Sequence, residues 1–120
     1  MSACLLIAGK PLMLATAAFT LSWTHSVERT EWRESWRLAD NGLQLVEASV
    51  RGSGAGMEPG ENARLIDGWW VWRIETAPVR ELVLAASGAT TGGWRLCHSQ
   101  GCLEIGRAAG EPVHIRLCTQ

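Results

Sequence analysis

Between residues 19 and 38, large apolar side chains recur at every second position, and this alternation constrains the chain more than any other feature. Phe19, Leu21, Trp23, His25 and Val27 fall on one side, with Thr20, Ser22, Thr24 and Ser26 on the other. The next segment repeats the pattern. Thr30, Trp32, Glu34, Trp36 and Leu38 share one side, and Glu31, Arg33, Ser35 and Arg37 share the opposite one. Successive side chains of an extended strand point to opposite faces, whereas a helix would scatter both sets around its circumference. The spacing therefore predicts two half-buried strands. Asp40-Asn41-Gly42 follows, and Asn-Gly suits the positive φ of a tight hairpin turn. Residues 43–50 read as the returning strand.

The rest of the chain reads the same way in shorter pieces. Residues 3–8 and 12–15 are apolar and flank Gly9-Lys10-Pro11, which predicts a hairpin with its turn at 9–11. Residues 51–62 hold the glycine-rich run Gly52-Ser53-Gly54-Ala55-Gly56 and then Met57-Glu58-Pro59-Gly60, which must form a loop. Strands are predicted at 64–66, 69–74, 94–97, 102–105 and 113–117. Residues 82–85 form a continuous apolar run, the pattern of a strand buried on both faces. A chain of 120 residues matches one domain. The expected fold class is all-β: a single domain over residues 1–120, an antiparallel β-sandwich or small barrel with short strands and glycine-rich loops. The aromatic inventory is 7 Trp, 1 Phe and no Tyr, so indole rings must supply most of the large core surface.

Charge narrows the functions. Eleven basic and twelve acidic residues leave a formal net charge of −1, with no basic excess to neutralise nucleic-acid phosphates. No run approaches the ~20 apolar residues of a membrane-spanning helix. Lys10 splits the N-terminal apolar segment, where a signal peptide wants a basic start before one continuous run. That reading makes a cytoplasmic location the default. The cysteines bear on the same question. Cys4, Cys97, Cys102 and Cys118 allow three pairings. One arrangement closes Cys97 on Cys102 and joins the chain ends through Cys4 and Cys118, which would call for an oxidising compartment such as a periplasm. Buried free thiols are the alternative. The spacing of Cys97, His98 and Cys102 departs from zinc-knuckle spacing, and no metal or cofactor is expected.

Four features invite a chemical reading. Pairing of the strands at 19–27 and 30–38 would bring His25 and Glu34 together, and a carboxylate holding a buried imidazole is either a core pair or an element of a catalytic or metal site. His25 and Ser26 are strand neighbours and point to opposite faces, which argues against a Ser–His nucleophile. Gly54-Ala55-Gly56 lacks the lysine and helix of a phosphate loop and reads as a flexible or tightly folded β-connection, with the lining of a ligand site as the alternative. Trp69, Trp70 and Trp72 place rings on both faces of one strand, either as core packing or as an aromatic wall.

Several of these segments carry a resemblance. Residues 19–30 (Phe19-Thr20-Leu21-Ser22-Trp23-Thr24-His25-Ser26-Val27-Glu28-Arg29-Thr30), together with Gly52-Ser53-Gly54-Ala55-Gly56-Met57, residues 82–87 and Trp94-Arg95-Leu96-Cys97 with Cys102 and Cys118, resemble the bacterial family of domains of unknown function numbered eighteen-fifty. Members of that family are often encoded beside the membrane subunits of TAXI-type TRAP transporters, which move organic anions. The resemblance implies an accessory role and transfers no catalytic assignment. The expectation is a non-enzymatic accessory or binding protein, with TRAP transporter subunits or a small organic ligand as partner. Its candidate polar cluster is His25, Ser26, Glu28, Glu34, Gly54, Gly56 and Met57. Two alternatives stand beside it: a small hydrolase or metal-dependent enzyme using His25 and a carboxylate, and a purely structural domain in which the polar pair sets strand register.

Overall fold

The computed structural model describes residues 3–24, 30–51, 62–86 and 93–118. They form eleven strands: β1 (Ala3–Ile7), β2 (Lys10–Leu14), β3 (Ala18–Thr24), β4 (Glu31–Ala39), β5 (Gly42–Arg51), β6 (Arg64–Ile66), β7 (Trp69–Arg73), β8 (Glu81–Leu84), β9 (Trp94–His98), β10 (Gly101–Ile105) and β11 (Val113–Leu117). Two sheets result, one ordered β2-β1-β11-β8 and the other β10-β9-β3-β4-β5-β7-β6. Every pairing is antiparallel. The sheets pack face to face as a sandwich, and neither closes into a barrel, which decides between the two architectures the sequence allowed. No helix among the described residues is long and apolar enough to cross a membrane.

Alternation builds the core. On the four-stranded sheet, Leu5 stands opposite Leu12 and Leu117, and Ile115 opposite Ile7 and Leu82, all on one face. On the seven-stranded sheet, Leu21 stands opposite Leu96 and Glu34, and Phe19 opposite Trp36. These faces meet in one cluster in which Leu5, Leu43, Leu96 and Ile115 are fully buried. Each fully buried leucine or isoleucine contributes roughly 1.5–3 kcal/mol relative to an exposed one. The chain passes between the sheets at Val79, where the Leu43 and Val79 amides each donate to the other's carbonyl oxygen, at 2.7 and 2.8 Å. Trp94 adds a second tie, its indole Nε1 donating to the Ala85 carbonyl at 3.0 Å.

Two local expectations are corrected. The first turn sits at Ala8-Gly9, both at positive φ (51° and 80°), rather than at 9–11. Lys10 and Pro11 instead begin β2, where proline is tolerated because β2 is an edge strand with one side free of ladder hydrogen bonds. The apolar run at 82–85 is not buried on both faces. β8 is the other edge of the small sheet, Leu82 and Leu84 face the core, and Val83 is 55% exposed. Valine's fit to a pleated backbone explains the run without a second buried face.

The two disulfides follow from these registers. Cys97 and Cys102 are directly opposed on β9 and β10 and are bonded to each other. Cys4 and Cys118 are bonded as well, with Cα atoms 5.4 Å apart, where the Cys118 amide donates to the Cys4 carbonyl at 3.2 Å.

Candidate functional site

The two faces of the large sheet differ in chemistry, and the register assigns each residue to one of them. The inner face carries an aromatic ladder. Trp94 lies 4.7 Å from Trp23, Trp23 stacks with Trp32 at 6.4 Å, and Trp72 meets Trp32 edge-on at 6.4 Å. Such offset and edge-to-face contacts are the favoured geometries of indole pairs, each adding about 0.5–1.5 kcal/mol beyond burial. Trp36 stacks on Phe19 deeper in the core.

Glu34 is the one carboxylate on that inner face among the described residues. It stands opposite Leu21 on one side and Ala48 on the other. Its Oε1 accepts a hydrogen bond from Trp36 Nε1 at 3.2 Å. Burial pushes its pKa above the ordinary carboxylate value, and the Trp36 hydrogen bond opposes that rise. The expected partner, His25, lies outside the described residues, as do Ser26, Glu28, Gly54, Gly56 and Met57. Of the expected polar cluster, only Glu34 is placed by the structure, and its described side-chain hydrogen bond is to an indole. Described residues next to two of these segments stand together in the ladder. Thr24 stands opposite Glu31, Glu31 opposite Arg51, and Arg51 opposite Trp69, at one end of the large sheet.

The outer face of the same sheet is polar and concave. The registers place Arg33, Arg37, Arg51, Arg64, Arg73 and Arg95 on it, against Glu31, Glu47 and Glu104. This face is therefore cationic in a chain whose overall charge is −1. Most of its charges have a partner of opposite sign directly across the ladder: Glu47 opposite Arg73, Glu31 opposite Arg51, Glu104 opposite Arg95. Arg33 differs. Its neighbours across the ladder are Ser22 and Ser49, and its guanidinium lies over the Trp69 ring, 4.2 Å from the centroid. Ser49 is buried and donates from Oγ to the Arg33 carbonyl at 3.5 Å.

Around Arg33 the face dips into a basin of about 440 Å³, whose lining includes Thr20, Ser22, Ser35, Trp69 and Arg95 together with the carboxylates Glu31 and Glu47. A second depression of about 460 Å³ continues from it along β3 and β4, with Ala18, Phe19, Trp36 and Val46 in its lining. The two share Thr20, Ser35 and Cys97, so they form one trough, polar at Arg33 and apolar toward Ala18. Val46 reaches this trough because the β4–β5 register shifts between Ser35 and Trp36, a β-bulge that leaves one β5 residue without a partner. Alternation of Arg33, Ser35 and Arg37 with tryptophans showed that this face was polar. The basin itself had no signal in the sequence, because it depends on which four strands lie side by side.

The trough offers donors, hydroxyls and an aromatic floor. The thiols of Cys97 and Cys102 are bonded to each other, and His98 Nδ1 accepts from the Gln100 amide at 3.4 Å. Among the described residues no group of three metal-ligating side chains comes together.

No curated protein and no solved structure matches this chain. A family model does, over residues 19–105, from the first strand of the large sheet through β10. That span covers the large sheet from Phe19 onward and all of the trough's lining but Thr16 and Ala18, and by this match the chain belongs to the family described as Domain of unknown function (DUF1850).

Proposed function

We propose that this chain is a non-enzymatic binding or accessory domain, and that the concave outer face of its seven-stranded sheet is the contact surface. One observation carries the reading: Arg33 is held over Trp69 with serines rather than carboxylates across the ladder, at the polar end of a trough open to solvent. A cation oriented by an aromatic ring and left without a facing acid is suited to recognition. Glu34, the carboxylate of the alternative enzymatic reading, supports a structural role instead, since it faces the core and bonds Trp36.

The finer reading is an accessory role beside the membrane subunits of a TAXI-type TRAP transporter, which the family resemblance implies. Two disulfides in so short a chain support an oxidising compartment, where such a domain would meet a transporter's outer surface. The test is co-purification of the tagged chain with its cognate transporter membrane subunits. Specific enrichment that Arg33→Glu abolishes is the expected result. Absence of any enrichment by the folded wild-type chain would remove the transporter link.

A further inference from the structure

We propose that the trough on the outer face of the seven-stranded sheet binds an amphipathic organic anion, a carboxylate with an alkyl or aryl tail, with its head on Arg33 and its tail toward Ala18 and Val46. This rests on reading the face as a binding surface and adds the class of ligand.

The head end follows from Arg33. The cation–π contact with Trp69 seats the planar guanidinium in the basin that both residues line. That planar fork matches the two oxygens of a carboxylate, which is why arginine exceeds lysine in such roles. No described carboxylate lies within ion-pair distance of Arg33, because the two ion pairs formed among the described residues are Glu104–Arg107 and Glu81–His114. The hydroxyls of Ser22 and Thr20 line the same basin and supply further donors. Arg95 stands one strand beyond Ser22, opposite Glu104, and the two carboxylates that also line the basin, Glu31 and Glu47, each face an arginine across the ladder, Arg51 and Arg73.

The tail end follows from the bulge. The trough beyond Thr20 and Ser35 presents the side chains of Ala18 and Val46 and the Cys97 sulfur over the backbone of Phe19 and Trp36, a mainly apolar surface with Arg37, His98 and Ser99 also in its lining. From Ser22 to Ala18 the trough runs about 13 Å along β3 at the usual rise per residue. A short inorganic anion would leave that length unfilled, and an apolar ligand without a charge would leave Arg33 desolvated without a partner, which is costly. A ligand with both ends satisfies both.

Calorimetric titration of the full chain tests this, with decanoate as probe, kept below the concentration at which it aggregates. Acetate and decyltrimethylammonium serve as head-only and opposite-charge controls. Decanoate is expected to bind, acetate at least tenfold more weakly, and the cation not at all. Arg33→Gln should weaken decanoate binding tenfold or more, while Arg64→Gln, on the β6 edge of the same face, should leave it unchanged. Val46→Asp should weaken decanoate and not acetate. Because Arg33 pairs across the ladder with the buried Ser49, near-ultraviolet circular dichroism checks the fold of each variant, and Arg95→Gln replaces Arg33→Gln if that variant unfolds. Absence of decanoate binding, equal binding of the cation, or equal loss in the Arg33 and Arg64 variants overturns the proposal. Decanoate binding without transporter enrichment would leave this site standing and remove only the transporter link. Enrichment without decanoate binding would do the reverse.

Discussion

Replacing Cys4 and Cys118 together by alanine removes a link between two residues 114 apart in sequence. In the native state the two strands that carry the link stay paired without it, through Leu5↔Leu117, Leu6↔Arg116 and Ile7↔Ile115. Leu5 and Ile115 are also fully buried in the core, so the folded structure has independent reasons to keep its ends together. The effect therefore falls mainly on the unfolded chain, which regains the freedom that the cross-link denied it. The loop-entropy relation puts that gain at about 5 kcal/mol for a loop of this size, against about 2 kcal/mol for the hairpin closed by Cys97 and Cys102. Since a domain of this kind has a total stability of ~5–15 kcal/mol, the first loss is a large fraction of it. Urea unfolding of wild type, the Cys4/Cys118 double alanine variant and the Cys97/Cys102 double alanine variant reads both losses from the midpoints and slopes. The terminal pair should cost more than the hairpin pair by about 2–3 kcal/mol. Equal losses, or a larger loss for the hairpin pair, would refute the argument that loop length sets the effect. They would mean that local strand packing at Cys97 and Cys102 dominates instead.

Two further expectations concern the core. Leu96→Ala, at a fully buried position of β9, should cost about 3 kcal/mol, while Val83→Ala on the exposed face of β8 should cost no more than ~0.5 kcal/mol, both read by chemical denaturation. A large loss at Val83 would mean that β8 is covered on both sides after all. Glu34→Gln should keep the Trp36 hydrogen bond through its amide oxygen and remove a half-buried charge. Because burial raises the folded pKa of Glu34 above 4.5, the folded state holds its proton more tightly than the unfolded chain. The stability this contributes is full below the unfolded value and is lost as pH rises through the folded one. The variant's melting temperature should therefore gain on wild type between pH 4 and pH 7. A variant that loses ground over that range would show that the ionised carboxylate is stabilised in the fold.

Much of this molecule is legible in the chain itself. Phe19, Leu21, Trp32 and Trp36 announce extended backbone by their spacing alone, since no helix could bury them together. Asp40-Asn41-Gly42 announces the central hairpin through the backbone freedom of its turn residues. The polar character of the face bearing Arg33, Ser35 and Arg37 is read in the same alternation. Residues 82–85 mislead for a physical reason: valine and leucine favour a pleated strand whether one face is covered or two. Glu34 shows a different limit: periodicity assigns it a face and says nothing of register, so its place opposite Leu21 and beside the Trp36 indole was not legible, while its expected partner His25 lies outside the described residues.

What only the tertiary structure decided is which strands are neighbours. Alternation is a local property of backbone geometry, so it survives in any sheet the chain could build. Strand order, the bulge beside Ser35 and the seat of Arg33 over Trp69 join residues dozens of positions apart. These arise from global packing of two apolar faces against each other. The trough exists because β9, β3, β4 and β5 lie side by side with their other face already occupied by the core.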